Sequence, residues 1–334
     1  MPIQTIHFTP SWHIKLLEYM KFVYPLRDIK YMKWWLTNIF NSDSDSWDKC
    51  LIVLENDEII GCTTVNKASL IINDSKESIY FRGNTIISPD QRGKGISKEI
   101  YNKVNSYNNW MSVGVTDIAW SIQPKYVENF TPLRPINVYL SLNFSILKQV
   151  FYKCIHLKLT SCKIPDRLLI SSNDEIIRVD NAEQMEIPEM GKWTSDEIEF
   201  VRDIDFFKKR YTDIYCAERY GIYKYMSEGC MIGYVVLRKT VYRGLDIVSL
   251  VDYRFFSRKN EAKAFKAASK FARQYGIGLV LTLSSRKYSF CLYPLTIMMK
   301  KKLNCATGMK QYLDKFNDAL FTSADSDLDF VYYK

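Results

Sequence analysis

The stretch "TIISPDQRGKGISKEIYNKV", residues 85–104, joins an apolar run to a helical pattern through a loop that contains two glycines. Apolar residues recur at intervals of four from Ile96 to Val104, which predicts an amphipathic helix after the loop. Glycine is costly in backbone entropy. Two glycines one residue apart, Gly93 and Gly95, therefore indicate a backbone that needs φ > 0 or the close approach of a ligand.

A turn of this kind between a strand and a helix suits a phosphate group, because backbone N–H groups and the helix dipole both favour negative charge. Arg92 and Lys94 add cationic donors. The P-loop does not match, since it needs four residues between its glycines. The dinucleotide-binding G-x-G-x-x-G does not match either, since its third glycine would fall on Lys98. An ordinary turn built on two glycines remains the alternative.

Composition narrows the class of protein. The 334 residues are 47% hydrophobic and 25% charged, as in a globular protein of about two domains. The net charge of +9 is spread over both halves, which disfavours a nucleic-acid-binding arm and is compatible with a small polyanionic ligand. No signal peptide, membrane span or C-x-x-C pair is found, so we expect a cytoplasmic protein with reduced cysteines. The chain has only three histidines, and they are dispersed, so we expect no metal site.

The order of predicted elements repeats. Each half has the pattern helices, hairpin, strand, helix, strand, which predicts an α+β fold of two tandem domains, residues 1–165 and 166–334. Each domain would hold a mixed, mostly antiparallel sheet flanked by helices. Strands are predicted at Ser112–Ile122 and at Ile146–Leu159.

The quoted stretch resembles the acyl-CoA-binding segment of the GCN5-related N-acetyltransferases (GNAT). That family has a strand ending in V-x-P, then R/Q-x-x-G-x-G/A, then a helix. Ile87-Ser88-Pro89 is similar to the strand end, and Arg92-x-x-Gly95-x-Ser97 is similar to the loop, with serine as the last small residue. Downstream, Tyr139 precedes Asn143-Phe144 much as the family's tyrosine precedes Gly-Phe. The resemblance covers roughly residues 1–160.

The resemblance implies that acetyl-CoA or another acyl-CoA is the co-substrate and that no metal takes part. The residues that it implies for CoA binding are Ile86, Ile87, Arg92, Gly93, Lys94, Gly95, Ile96 and Ser97. The acyl group would pass directly to an amine, with backbone N–H groups near Ile87 polarising the carbonyl. Tyr139 is the candidate donor of a proton to the departing thiolate, because a phenol titrates near 10 and a thiol near 8.5.

The second half resembles a degenerate copy, because the loop in "DIVSLVDYRFFSRKNEAKAF" has no glycine. One CoA site per chain is therefore expected, and the second half is expected to form a wall of the acceptor pocket. Candidate substrate residues are Arg82, Asn84, Asp117, Asp325 and Asp327. Arg82 and Asn84 would share one strand face with Ile86. Arg82 either binds an anionic substrate or pairs with a carboxylate, and the Asp325–Asp329 segment is a substrate contact, a metal site or a solvated edge.

The resulting hypothesis is an acyl-CoA-dependent N-acyltransferase that acetylates a small-molecule amine. The ending "FTSADSDLD" resembles tandem members associated with surface-polysaccharide biosynthesis, which points to an amino sugar or a nucleotide-linked amino sugar. Two alternatives stay open. One is an aminoacyl transferase of the peptidoglycan-bridge type, which does not need the CoA loop, and the other is a non-catalytic CoA-binding protein. The sequence does not decide the oligomeric state.

Overall fold

The computed structural model of the chain describes residues 3–25, 27–41, 47–105, 107–155, 165–213, 219–242, 245–288 and 295–325. The chain forms two compact units. The first comprises Met1–Leu70, Ser75–Arg134 and Leu303–Asn317, and the second comprises Ile71–Asp74, Pro135–Lys302 and Asp318–Lys334.

Helices and strands alternate along the chain in the manner of an α+β protein. The α-helices are α1 (His13–Val23), α2 (Ile29–Asn41), α3 (Ile96–Val104), α4 (Asp117–Tyr126), α5 (Ser145–Cys154), α6 (Ile204–Phe207), α7 (Ala262–Gln274) and α8 (Leu313–Asp318). The strands are β1 (Gln4–His7), β2 (Leu51–Glu55), β3 (Glu58–Ile72), β4 (Ser75–Ile87), β5 (Trp110–Val115), β6 (Thr131–Leu142), β7 (Arg167–Leu169), β8 (Asp174–Val179), β9 (Ile198–Phe200), β10 (Gly221–Ser227), β11 (Cys230–Tyr242), β12 (Leu245–Phe255), β13 (Leu279–Ser284) and β14 (Thr296–Thr307).

The first unit is built on strands in the order β1-β2-β3-β4-β5-β14. β4 and β5 run parallel, whereas β2 is antiparallel to both β1 and β3, and β14 is antiparallel to β5. The turn between β2 and β3 is Asn56-Asp57, with φ of 53° and 62°, and the sequence Asn-Asp between two apolar runs is typical of such a turn. α3 packs its apolar side, including Ile100 and Val104, against Trp110 and the buried side chains of β2.

The second unit is built on strands in the order β6-β13-β12-β11-β10-β8-β7. β12 and β13 run parallel, whereas the pairs β6–β13, β11–β12, β10–β11, β8–β10 and β7–β8 are antiparallel. α7 buries an alanine-rich face with Phe265 and Phe271 against β12 and β13. The predicted class, α+β with mixed and mostly antiparallel strands, is confirmed.

The two units divide at Arg134/Pro135, inside β6, and so differ from the predicted division at residue 165. Strand pairing explains the difference. Residues 137–142 of β6 pair with β13, whereas Asn304–Thr307 of β14 pair with β5. In both units a strand, a helix and a parallel strand follow a hairpin, and a duplication remains a prediction.

Two predicted strands are wrong over the described residues. The strand predicted at Ser112–Ile122 ends at Val115, because the Thr116 hydroxyl accepts a hydrogen bond from the Ala119 amide (3.4 Å) and caps α4. The strand predicted at Ile146–Leu159 is α5 as far as Cys154, and residues 156–159 lie outside the described residues. Apolar runs of this length do not distinguish a strand from a helix.

Candidate active site

The glycine loop connects β4 to α3 in the first unit. Gly93 and Gly95 both have φ of 84°, and Gly95 is the N-cap of α3 with no side-chain cap. The first amides of a helix have no partner in the preceding turn, so those of Ile96 and Ser97 are available to a ligand, whereas the Lys98 amide donates to the Gly95 carbonyl oxygen (2.9 Å). Nothing lies within 4 Å of a Cβ added at either glycine, so the space over the loop is open. The loop thus has the conformation that the sequence predicted.

Side chains beneath the loop hold it in place. Gln91 is buried, and its Nε2 donates to Glu55 Oε2 (3.1 Å) and Asp90 Oδ2 (3.0 Å). Lys94 Nζ donates to Gln91 Oε1 (2.9 Å), which ties one cation to this anchor. Arg92 is exposed beside the loop, with its Nε 3.4 Å from the Ile87 carbonyl oxygen. Uncapped amides, open glycines and two cations together fit a pyrophosphate such as that of CoA.

A further contact at the loop was missed by sequence reasoning. Tyr19 of α1 is buried, and its hydroxyl donates to the Ile60 carbonyl oxygen (3.1 Å) and accepts from the Ser88 hydroxyl (3.3 Å). Burial raises the pKa of Tyr19. No local pattern distinguished this tyrosine from the other 22 tyrosines in the chain.

β4 and β5 part next to this loop. They pair only at Tyr80 with Trp110 and at Phe81 with Met111, after which β5 pairs with β14. Beyond these two pairs, none of the described strands pairs with the edge of β4 that faces β5. We call this opening between Arg82–Ile87 and β5 the fork.

β4 changes face inside the fork. Asn84 has φ of 48°, a left-handed conformation within the strand. Arg82 stacks on Trp110, and Ile87, five residues later, packs against the core that contains Trp110. In a regular strand, residues five apart would point to opposite faces. The predicted single face for Arg82, Asn84 and Ile86 is therefore wrong, because the irregularity at Asn84 reverses the alternation.

Arg82 is a buried cation on the side of the fork that α3 covers. Its side chain lies 3.4 Å from the centroid of the Trp110 ring, and the residue is 7% exposed. None of its three guanidinium nitrogens has a hydrogen-bond partner in the described part of the chain. Burial lowers the pKa of Arg82 to about 9. Of the two predicted roles for Arg82, the pairing with a carboxylate has no hydrogen bond to support it.

Tyr139 belongs to the second unit, where it lies in the core beside Phe265 and Tyr288. Its hydroxyl donates to the Arg286 carbonyl oxygen (2.9 Å) and accepts from the Tyr288 amide (3.2 Å). Burial raises the pKa of Tyr139. These contacts give Tyr139 a structural role, and its predicted role as proton donor remains a prediction.

A second tyrosine precedes an Asn-Phe pair in the first unit, at a spacing one residue shorter than that of Tyr139. α4 ends at Tyr126, and Asn129 has φ of 55° immediately before Phe130. The Asn-Phe pair at 129–130 thus has the backbone conformation that a glycine would adopt, whereas Asn143 is not among the positive-φ residues. Tyr126 packs on the core under α3, with Lys98 Nζ 5.9 Å from its ring centroid. The sequence "YVENF" carried this signal.

The predicted acidic substrate residues fall in different environments. Asp117 was placed in a strand but is the first residue of α4, where its Oδ1 accepts from Asn304 Nδ2 (3.4 Å). Its role as a substrate residue remains a prediction. Asp325 is buried, so the predicted solvated edge is wrong at this residue, and its role as a substrate contact remains a prediction. Asp327 and Asp329 lie outside the described residues.

Asp325 belongs to a buried charge cluster in the second unit that also contains Arg202, Arg254, Asp252 and Glu199. Asp325 accepts hydrogen bonds from Arg202 and Arg254. Asp252 pairs with the same two arginines at 2.9 and 2.8 Å. Burial alone would raise the pKa of Asp252, but the two arginines outweigh it and lower the pKa to about 2. The cluster holds the segment that ends at Asp325 to β12.

The described residues contain no group of three or more side chains that could together bind a metal ion. In the same ranges, no helix is long and apolar enough to cross a membrane.

Comparison with solved structures shows the fold. A GCN5-related N-acetyltransferase from Anabaena variabilis is 11% identical with a TM-score of 0.55, and the match covers 92% of this chain and 72% of that one. A probable N-acyltransferase from Enterococcus faecalis is 10% identical with a TM-score of 0.56, covering 94% and 74%. The Saccharomyces cerevisiae N-myristoyltransferase with bound myristoyl-CoA is 12% identical with a TM-score of 0.53, covering 92% and 83%. No family sequence model and no curated protein sequence matches the chain. The chain thus has the GNAT fold.

Proposed function

We propose that the protein is an acyl-CoA-dependent N-acyltransferase. The observation that carries the proposal is that one unit contains both the open glycine loop before α3 and the fork that begins beside β4. The loop supplies donors for a pyrophosphate, and the fork supplies unpaired backbone groups along an extended strand. An acyl-CoA suits these two features, because a long, narrow arm joins its pyrophosphate to its thioester.

Each part of the site has a task in this reaction. The amides of Gly93–Ser97 and the side chains of Arg92 and Lys94 bind the pyrophosphate. Backbone N–H groups of β4 between Asn84 and Ile87 polarise the thioester carbonyl, where negative charge develops. The amine nitrogen forms a bond to the carbonyl carbon, the C–S bond breaks, the amine loses a proton and the thiolate gains one.

The proton donor to the thiolate is a tyrosine in this proposal. Tyr126 is the first candidate, because it lies in the same unit as the loop and is the last residue of α4, which packs on the same core as α3. Tyr139 is the second candidate, and its hydroxyl already contacts two backbone groups. A phenol whose pKa lies close to that of the thiol can transfer its proton as the C–S bond breaks.

The acceptor is a small-molecule amine in this proposal, and an amino sugar of surface-polysaccharide biosynthesis is the finer prediction from the sequence. Related folds act with acyl-CoA: one similar structure is an N-myristoyltransferase with bound myristoyl-CoA. That the second half contributes to acceptor binding also remains a prediction.

A thiol-release assay tests the proposal. Acetyl-CoA is incubated with the full chain and a panel of amino sugars and simple amines, and free CoA and acylated product are measured. The double variant Arg92→Ala/Lys94→Ala should raise KM for acetyl-CoA at least tenfold, since each lost charge-assisted contact contributes more than 1 kcal/mol. The control Lys300→Ala/Lys301→Ala removes two exposed cations from β14 and should leave KM unchanged. CoA binding without thiol release for any amine would favour the non-catalytic alternative.

A further inference from the structure

Several side chains of the first unit carry buried polar atoms that have no hydrogen-bond partner in the described ranges, and three of these side chains lie around the core that contains Trp110. These three are Arg82 on β4, Ser112 on β5 and Gln123 on α4. Their exposures are 7%, 2% and 6%. A buried polar atom without a partner destabilises the folded state, so such atoms are rare in native proteins. Three of them in the unit with the fork indicate a polar ligand group there.

The three side chains belong to one side of the sheet. Arg82 stacks on Trp110. Ser112 lies two residues after Trp110 on β5, so both point to the same face. Its partner in the β5–β14 pairing, Ala306, is part of the same core as Trp110. Gln123 lies between Trp120 and Val127 at helical spacing, and both of these pack on this core.

The chemistry of the set matches a carboxylate. A guanidinium offers parallel N–H donors whose spacing fits two carboxylate oxygens, and a serine hydroxyl adds a third donor. The Trp110 ring restricts the position of the Arg82 guanidinium, because the guanidinium carbon lies 3.4 Å from the ring centroid. Among the polar atoms of Arg82, Ser112 and Gln123 that have no partner in the described ranges, hydrogen-bond donors thus outnumber acceptors, as the binding of an anion requires.

We propose that Arg82 and Ser112 form a carboxylate subsite at the base of the fork, and that the acyl group of the donor carries this carboxylate. The inference rests on the proposed function, in which the thioester carbonyl lies at Asn84–Ile87. Asn84 lies two residues from Arg82, at most about 7 Å along the strand, because the backbone at Asn84 is left-handed and not extended. A short dicarboxylic acyl chain such as succinyl, with a hydrogen bond at each end, spans that distance. A carboxylate on the amine acceptor would offer the same chemistry from another source.

Titration calorimetry on the full chain tests the donor. CoA, acetyl-CoA and succinyl-CoA are titrated into the wild type, Arg82→Met and the control Arg134→Met, which changes an exposed arginine of the same unit. The wild type should bind succinyl-CoA about 10- to 100-fold more tightly than acetyl-CoA, as a buried charge-assisted contact predicts. Arg82→Met should lose this preference and keep its affinity for CoA and acetyl-CoA, and Arg134→Met should behave as the wild type.

A second variant protects the test against misfolding. Ser112→Ala removes a hydroxyl that makes no hydrogen bond in the described chain, so the fold should survive while succinyl-CoA binds several-fold more weakly. The acceptor arm uses saturating acetyl-CoA with amino acids and with the corresponding decarboxylated amines. A preference for amino acids that disappears in Arg82→Met also supports the subsite and places the carboxylate on the acceptor.

Two results separate failure of the subsite from failure of the proposed function. If the wild type binds none of the three CoA compounds, the proposed function fails. If it binds them but shows no carboxylate preference in either arm, only the subsite is overturned. Loss of affinity for CoA itself in Arg82→Met would also overturn the subsite, since the guanidinium would then serve the phosphates or the fold.

Discussion

Replacing Asp325 by alanine should destabilise the second unit strongly, because the Asp325 carboxylate is buried between two arginines. The substitution removes an acceptor from Arg202, from Arg254 Nη2 (3.4 Å) and from the Thr322 amide (2.7 Å). Both arginines keep Asp252, so the loss is smaller than the sum of three bonds. Breaking one partner of a buried ion pair costs about 3–5 kcal/mol, and we expect the free energy of unfolding to fall by that amount.

The assay is thermal and urea unfolding followed by tryptophan fluorescence. Trp193 is a suitable reporter, because it is buried and its Nε1 donates to the Arg202 carbonyl oxygen (3.0 Å). A loss of this size lowers Tm by about 6–20 °C in a unit of 150–250 residues. The control Asp166→Ala removes a carboxylate that is 92% exposed and 3.9 Å from Arg178, so Tm should not change measurably.

Unchanged stability of Asp325→Ala would favour the role predicted from the sequence, in which Asp325 contacts the substrate. If Asp325→Ala unfolds like the wild type while KM for the acceptor rises, Asp325 is a substrate contact and the reasoning from burial is wrong. Asp325→Asn is informative in the same experiment. It keeps an oxygen for the Thr322 amide but not the charge, so its loss of stability should lie between those of the wild type and Asp325→Ala.

Three more predictions follow from named contacts. The pKa of Asp252 is lowered to about 2, below its unfolded value near 3.9. The stabilising contribution of this carboxylate is therefore present above pH 4 and is lost as the pH falls through 2. In urea unfolding at pH 6, 4 and 2, the free energy of unfolding should fall more steeply for the wild type than for Asp252→Asn. Tyr126→Phe should lower kcat roughly 100-fold and leave the affinity for CoA unchanged. If Tyr126→Phe instead keeps full kcat and Tyr139→Phe shows the 100-fold loss, Tyr139 is the proton donor. Gly308→Ala should destabilise the first unit by about 1–3 kcal/mol, because the added Cβ would lie 2.3 Å from Trp110 Nε1, and an unchanged Tm would contradict that contact.

Local signals were enough to predict the loop. Gly93 and Gly95 adopt the positive φ that their spacing indicated, and α3 begins at Ile96, where the helical pattern begins. The turn at Asn56-Asp57 was predictable for the same reason. In each case the residues that determine the conformation are neighbours in sequence.

The rest depends on partners that are distant in sequence or on irregular backbone. Asp325 contacts Arg202 and Arg254, which precede it by 123 and 71 residues, so an alternating acidic pattern could not indicate burial. The left-handed residue at Asn84 breaks the two-residue alternation, and no period reveals it beforehand. Tyr126 was missed because the apolar run before it was interpreted as a strand, which placed the motif elsewhere.

The central claim is that the glycine loop binds the pyrophosphate of CoA, and titration calorimetry with CoA tests it most directly. Gly95→Glu would put a carboxylate where the amides of α3 meet phosphate, at φ of 84° and in open space. Gly229→Glu is the matched control, because Gly229 has φ of 79° with nothing within 4 Å of an added Cβ, in a hairpin of the second unit. We predict one CoA per chain for the wild type and for Gly229→Glu, and no detectable binding for folded Gly95→Glu. Equal CoA affinity in all three proteins, or no binding by the wild type, would contradict the claim.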